Sequence, residues 1–263
     1  MQDLKISIVQ GATRWRDPAA NHDYYAALCA PLQGTTDLVI LPETFTSGFS
    51  NEAIHNAETM DGPTVAWLHT LATRLGAAVT GSVQLRDGDR VYNRLLFATP
   101  EGALHHYDKR HLFRYADEHK RYAPGGPRLV VEYRGWKICP LVCYDLRFPV
   151  FLRNGYTSGG GFDYDLALFV ANWPDARTHA WRTLLRARAI ENLCYCAGVN
   201  RTGTDGNQIS YPGNSAVLDH LGQPLVELGG QEQAATVTLD AAALAAFRQH
   251  FPAWMDADPF ALR

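Results

Sequence analysis

Between Lys137 and Val142 the chain reads Lys137-Ile138-Cys139-Pro140-Leu141-Val142, apolar without alternation, and the run stops on Cys143. A strand with one wet face alternates apolar and polar side chains, whereas a continuous run belongs to a sheet covered on both faces. The segment predicts a core strand, with a helix over Arg147 to Gly155 after it. A thiol at such an elbow is exposed at one edge of the sheet. It also lies beside the free N–H groups of a helix start, which favour a thiolate and can hold an oxyanion. That is a natural place for a covalent nucleophile, although a buried cysteine also serves as a small apolar residue.

Two other strand ends carry polar residues. Asp37-Leu38-Val39-Ile40-Leu41-Pro42-Glu43 is a short apolar run closed by a proline. Pro42 cannot donate to a sheet ladder, so the strand stops there and Glu43 enters the space beyond its carboxyl end. Gly102 to Asp108 alternates weakly before Lys109-Arg110-His111, which predicts a strand passing its lysine to a loop. Glutamates and lysines near loops are ordinarily solvated. The order Glu, Lys, Cys, each following a strand, is what singles these three out.

The remaining pattern sets the architecture. Asp17 to Leu32 predicts a helix, capped by Asp17 with Pro18 in its first turn. Gly62-Pro63 opens another that runs to Leu75, and Thr178 to Leu193 and Ala241 to His250 predict two more. Ala77 to Leu85 and Val91 to Ala98 form a hairpin signal across Arg86-Asp87-Gly88-Asp89-Arg90. Leu129 to Tyr133 is expected to pair with Trp136 to Val142, and Asp165 to Val170 and Cys194 to Val199 to be core strands. Shorter strands fall near Ser215 to Leu218, Pro224 to Leu228 and Ala234 to Leu239. Helices alternating with pairs of strands fit two sheets stacked face to face with helices outside, better than one doubly wound sheet. No linker divides residues 1–263, so one domain is expected, and Ser158-Gly159-Gly160-Gly161 reads as a surface turn.

With 46% hydrophobic and 19% charged residues the chain can build a large core. A formal net charge of −3 leaves no basic footprint for nucleic acid. No apolar stretch reaches membrane-spanning length and no signal-peptide pattern opens the sequence, so a cytoplasmic location is expected. The five cysteines suggest no disulfide framework. Neither Cys139 with Cys143 nor Cys194 with Cys196 has zinc-site spacing, so no metal is expected.

The segments Leu41-Pro42-Glu43-Thr44-Phe45, Tyr107-Asp108-Lys109-Arg110-His111-Leu112 and Val142-Cys143-Tyr144-Asp145-Leu146-Arg147-Phe148-Pro149 together resemble the nitrilase (carbon–nitrogen hydrolase) superfamily. The resemblance continues through Ala171-Asn172-Trp173-Pro174, Arg188-Ala189-Ile190-Glu191-Asn192 and Gly213-Asn214-Ser215, in family order over nearly the whole chain. Where many relatives carry a glutamate after Arg-Phe-Pro, this chain has Val150. The resemblance implies a four-layer αββα sandwich, a catalytic triad of Glu43, Lys109 and Cys143, no cofactor, and a homodimer or larger assembly. It is strongest toward omega-amidases, which hydrolyse the terminal amide of 2-oxoglutaramate or 2-oxosuccinamate. A second family glutamate matches Glu118 by position; a surface salt-bridge loop is the other reading of that charged segment.

Amide hydrolysis needs a nucleophile, a proton shuttle and a fixed positive group for the oxyanion. Cys143, Glu43 and Lys109 fill these roles, with the backbone N–H of Tyr144 as second oxyanion donor and a thioester as intermediate. Arg147 is the candidate for a substrate carboxylate, or else an ion-pair partner of Asp145. Asn172, Trp173 and Phe49 are expected at the cleft wall. His111, His119 and His179 offer a rival thiol–imidazole pairing. Another nitrilase-superfamily activity, on a different primary amide, a nitrile or an N-carbamoyl amino acid, and a scaffold without turnover are the alternatives. The aromatic tail from about residue 251, Phe251 to Phe260, is expected to dock on its own domain or on a partner subunit.

Overall fold

The computed structural model describes residues 1–159 and 161–258; the side chains of residues 53 and 56 are also not described. In chain order the strands are β1 (Leu4–Gln10), β2 (Leu38–Ile40), β3 (Ala78–Asp87), β4 (Arg90–Ala98), β5 (Leu104–Asp108), β6 (Val131–Tyr133), β7 (Trp136–Val142), β8 (Tyr156–Thr157), β9 (Gly161–Phe162), β10 (Leu166–Ala171), β11 (Tyr195–Asn200), β12 (Thr202–Thr204), β13 (Ser210–Pro212), β14 (Ala216–Leu218), β15 (Pro224–Glu227) and β16 (Gln233–Leu239). The α-helices are α1 (Pro18–Cys29), α2 (Pro63–Leu75), α3 (Pro149–Leu152), α4 (Thr178–Asn192) and α5 (Ala241–His250).

Two six-stranded sheets result, ordered β16-β1-β2-β3-β4-β5 and β15-β14-β11-β10-β7-β6. Strand alternation explains how they stack. Ile6, Ile8, Leu38 and Ile40 point from the first sheet into a core shared with Ile138, Val142, Leu168 and Val170 of the second. Val9, Val39 and Val79 point the other way, onto Tyr25 of α1 and Leu68 and Leu71 of α2. Trp181 and Leu185 of α4 cover the outer face of the second sheet, packing against the Gly198 position, where a Cβ would meet them at 2.5–2.8 Å. Each sheet therefore has apolar side chains on both faces, which is why its central strands read as unbroken runs. This is the four-layer αββα sandwich.

The helix caps follow the sequence. Asp17 accepts a hydrogen bond from the Ala20 N–H at 3.0 Å, and α2 ends on Gly76 at φ +67°, which glycine adopts without the Cβ clash. The segment after β7 departs from expectation. In place of one helix from Arg147 to Gly155 there is a 3-10 turn, Cys143–Arg147, followed by the single α-helical turn of α3. Pro149 bars the α conformation for the residue before it, and Phe148 sits at φ −115°, ψ +80°, so the helix breaks there.

β16 closes the first sheet by pairing antiparallel with β1, Leu4 opposite Leu239. The Ser158–Gly161 turn joins the small β8–β9 ribbon, with Gly160 outside the described residues. The tail beyond α5 forms a short 3-10 turn, Ala253–Asp256, whose Trp254 packs on Tyr156 of the same chain at 3.7 Å between ring centroids. Phe260 lies outside the described residues.

Candidate active site

Glu43, Lys109 and Cys143 leave different strands but converge at one end of the two sheets. Lys109 is the first residue beyond β5, and its N–H still bonds to the Asn93 carbonyl of β4 at 2.9 Å. Its side chain is 1% exposed, and its Nζ lies 2.9 Å from Glu43 Oε1 and 3.0 Å from both carboxylate oxygens of Glu118. Glu118 is wholly buried, so the surface salt-bridge reading does not describe it. Its Oε2 also accepts the Phe113 N–H at 2.6 Å.

Glu43 is held from two more sides. Asn172 donates its backbone N–H to Glu43 Oε2 at 2.8 Å and its side-chain amide to the Glu43 carbonyl at 2.8 Å. Asn93 donates Nδ2 to Glu43 Oε1 at 2.8 Å and to Glu118 Oε1 at 3.3 Å, so one amide spans both carboxylates. Sequence reasoning missed Asn93. Its signal lies in the β4–β5 hairpin, where Arg94 faces Asp108 and Asn93 is therefore opposite Lys109.

These contacts set the charges. Burial alone would raise the Glu43 carboxyl, but the Lys109 ammonium and the Asn172 and Asn93 donors outweigh it and hold the group below its usual range. Lys109 shows the mirror case: burial favours the neutral amine, yet the charges of Glu118 and Glu43 keep it protonated well above its ordinary range. Glu118 is pushed up, first by burial and then by the Glu43 charge, against the pull of Lys109.

Cys143 follows β7 and is partly exposed, its sulfur 4.0 Å from the Asn172 carbonyl oxygen. Its φ is +45°, in the left-handed region that costs a non-glycine residue about 1 kcal/mol or more. Asp145 holds that elbow. Its Oδ2 accepts the Val142 N–H at 3.1 Å and the Tyr107 hydroxyl at 2.8 Å, and its Oδ1 accepts the His111 ring at 2.7 Å and the His111 N–H at 3.1 Å. From the far side, Arg188 of α4 donates twice to the Leu146 carbonyl, at 3.0 and 2.7 Å. Burial and the Glu43 charge drive the Cys143 thiol well above its ordinary value, so it rests protonated.

A cavity of about 240 Å³ opens over these groups. It is below the roughly 300–1,000 Å³ of drug-sized pockets and suits a small molecule. Glu43, Lys109, Cys143, Tyr144, Arg147, Asn172, Trp173 and Phe49 all line it, while Glu118 stands behind Lys109. Phe49 places its ring centroid 5.5 Å from Lys109 Nζ. Asn200 fixes the Trp173 loop by accepting its N–H at 2.7 Å and donating to its carbonyl at 3.0 Å.

Arg147 does not pair with Asp145, whose oxygens are taken by His111, Tyr107 and Val142. Its guanidinium lies 5.0 Å from the Trp173 ring centroid. A second cation, Arg177, lines the same cavity and was not foreseen, because a 3-10 turn over Asp175–Arg177 turns it inward. The histidine alternative finds no support: His111 is bound to Asp145, His179 is exposed, and none of His111, His119 or His179 lines the cavity. Cys194 and Cys196 are fully buried in the core.

The carbon-nitrogen hydrolase family profile matches residues 5–249. The chain is 46% identical over 264 residues to the omega-amidase YafV of Escherichia coli K12, covering all of both chains. It is 35% identical over 224 residues to the 2-oxoglutaramate amidase of Bacillus subtilis, covering 84% of each. Among solved structures, a CN-hydrolase superfamily protein of Xanthomonas campestris, with an arsenic adduct in its active site, is 66% identical and superposes with a TM-score of 0.99 over the full length of both chains. An amidase mutant from Nesterenkonia sp. AN1, carrying acrylamide added to its active-site cysteine, is 28% identical with a TM-score of 0.78, covering 95% of this chain and 98% of that one.

Proposed function

The chain belongs to the carbon-nitrogen hydrolase family, and from that premise we propose that it is an omega-amidase, releasing ammonia from the terminal amide of a small 2-oxo acid such as 2-oxoglutaramate or 2-oxosuccinamate. The observation that carries the reading is the buried Glu43–Lys109 pair lining one cavity with Cys143, with Glu118 behind the lysine. The full-length similarity to an omega-amidase supports the substrate class.

Catalysis begins from a neutral thiol and an ionised Glu43. As Cys143 Sγ attacks the amide carbon, Glu43 takes the thiol proton, so a free thiolate never accumulates. The carbonyl oxygen becomes an oxyanion facing the Lys109 ammonium. The Tyr144 N–H, in the first turn after β7 where amides lack intrahelical acceptors, supplies the second donor. Collapse breaks the C–N bond, Glu43 returns its proton to the departing nitrogen, and ammonia leaves a thioester on Cys143. Water then attacks the thioester with Glu43 as base again. The carboxylic acid departs and the sulfur recovers its proton. Glu118 keeps Lys109 charged and in place through both half-reactions, and Arg147 binds the substrate carboxylate.

Ammonia release from 2-oxoglutaramate, compared with a nitrile and an N-carbamoyl amino acid, tests the assignment. Amide turnover at least tenfold above the other two supports it. Faster nitrile turnover would move the chain to another branch of the family, and no turnover of any by folded protein would favour a scaffold.

The same proposal includes a homodimer. Ile190 of α4 and Leu221, whose neighbour Gly222 packs on Ile190, are each 51% exposed and offer apolar surface; light scattering showing only monomer would remove this part. None of the described helices is long and apolar enough to cross a membrane. The five cysteines all remain free thiols, in keeping with a reducing, cytoplasmic setting.

A further inference from the structure

Among the described residues, four charged side chains line the cavity: Glu43, Lys109, Arg147 and Arg177. Glu43 and Lys109 pair at 2.9 Å, and Glu118, behind the cavity wall, also meets the lysine at 3.0 Å. Among the described residues, neither arginine forms an ion pair, so the cavity wall carries two unmatched positive charges. Both are half-buried, and both lie against aromatic rings: Arg147 at 5.0 Å from Trp173, Arg177 at 5.2 Å from Phe113 and 5.8 Å from Tyr115. A ring face is a weaker partner for a guanidinium than a carboxylate, so each arginine keeps donors available for an incoming anion.

The two cations are also built as one unit. The Trp173 indole N–H donates to the Arg177 carbonyl at 2.8 Å, tying the ring beneath Arg147 to the turn that carries Arg177. The arginines are carried by separate turns, Cys143–Arg147 and Asp175–Arg177, and both line the one cavity.

We propose that Arg177 is a second anion anchor, and that with Arg147 it selects ω-amides whose far end is a carboxylate beside a carbonyl, against those with an α-ammonium group. This rests on the amidase reading above and deepens it. A 2-oxo carboxylate presents three acceptor oxygens, more than the paired N–H edge of one guanidinium can satisfy. Two guanidiniums meet all three. Glutamine or asparagine would bring an ammonium group, which has donors only, into a region already carrying two positive charges. Among the described residues, no lining carboxylate outside the Glu43–Lys109 pair is present to receive it.

The test compares wild type with Arg177→Gln and Arg177→Lys on 2-oxoglutaramate, glutamine and pentanamide, an uncharged amide of equal carbon count. Arg177→Gln should raise KM for 2-oxoglutaramate by about 10–100-fold, the loss of one bidentate charged contact, with kcat changed far less. The preference for 2-oxoglutaramate over pentanamide should fall by the same factor, and Arg177→Lys should lie between. Equal losses on both substrates, or a change in kcat alone, would overturn the proposal and leave Arg177 a structural residue.

Calorimetric titration with 2-oxoglutarate separates this claim from the amidase reading. If wild type releases no ammonia yet binds 2-oxoglutarate, and Arg177→Gln weakens that binding at least tenfold, the activity assignment fails and the anchor stands. If wild type turns over 2-oxoglutaramate while Arg177→Gln leaves KM and binding within twofold, the anchor fails alone.

Discussion

Replacing Glu118 with glutamine tests the proposed division of labour among the buried charges. Glu118 receives only donors: Lys109 Nζ on both oxygens at 3.0 Å, the Phe113 N–H at 2.6 Å and the Asn93 amide at 3.3 Å. Whichever way a glutamine amide turns, its NH₂ must face one of those donors. At least one charge-assisted bond is lost and another weakened, at about 1.5–3 kcal/mol each. The lysine keeps Glu43, so the loss stays below that of a wholly orphaned ion, and we expect about 3 kcal/mol of stability to go. For a chain of this size that is a fall in Tm of roughly 6–12 °C. Lys109 then leans on Glu43 alone, which ties up the proposed base and draws the ammonium away from the oxyanion. If about 2–3 kcal/mol of this is felt in the transition state, kcat drops about 30–150-fold. Steady-state ammonia release at a temperature where both proteins are folded, alongside a thermal melt, measures both effects. A Glu118→Gln enzyme within threefold of wild-type kcat and within 1 °C in Tm would refute the reasoning, since that is how a solvated surface residue behaves.

Two further outcomes follow from the same electrostatics. Asn93→Asp places a third carboxylate where one amide now bridges two, so its own carboxyl should be raised by like charge. A raised carboxyl destabilises the fold above its folded-state pKa and is relieved below it. The Tm gap to wild type should therefore narrow from pH 8 to pH 5, and a constant gap would contradict the placement of Asn93 between Glu43 and Glu118. The buried thiols govern the alkaline limb. Cys29, Cys139 and Cys194 are pushed from an ordinary 9.0 to about 12 by burial, and Cys196 also rises well above 9.0. The unfolded chain loses these protons near pH 9 while the folded chain keeps them, so stability falls as pH rises above 9. The slope approaches about 1.4 kcal/mol per pH unit for each thiol. Urea titrations at pH 8, 9 and 10 measure it, and a flat profile would contradict the burial of these thiols.

The strand ends were legible because an apolar run that stops on a polar residue has one physical reading in a layered fold. Leu41-Pro42-Glu43 and Leu141-Val142-Cys143 both announce where backbone pairing ends, and the structure brings their polar residues together. Glu118 was reached through the family resemblance, since its charged segment reads equally as a surface loop, and its burial was not legible. The rest depends on relations that local sequence does not carry. Asn93 acquires its place from hairpin register, opposite Lys109. Arg177 turns toward the cavity through a single 3-10 turn inside an otherwise unremarkable exposed loop. The positive φ of Cys143 sits in an elbow that Asp145 binds to His111 and Tyr107, 34–38 residues earlier in the chain, a relation local sequence does not show. The helix expected after Cys143 was overextended because the effect of Pro149 on Phe148 outweighs the apolar periodicity of the residues around it. β16 could be recognised as a strand, but its pairing with β1 joins opposite ends of the chain and is fixed only by the assembled sheet.

The account stands on acyl transfer to a single sulfur. Intact and peptide mass spectrometry of enzyme acid-quenched during turnover of 2-oxoglutaramate measures it directly. The account predicts an adduct equal to the substrate less ammonia on the peptide that contains Cys143, forming before product accumulates and absent from Cys143→Ala, which should also lose ammonia release. Continued turnover by Cys143→Ala, or an acyl group found on another residue, would contradict it.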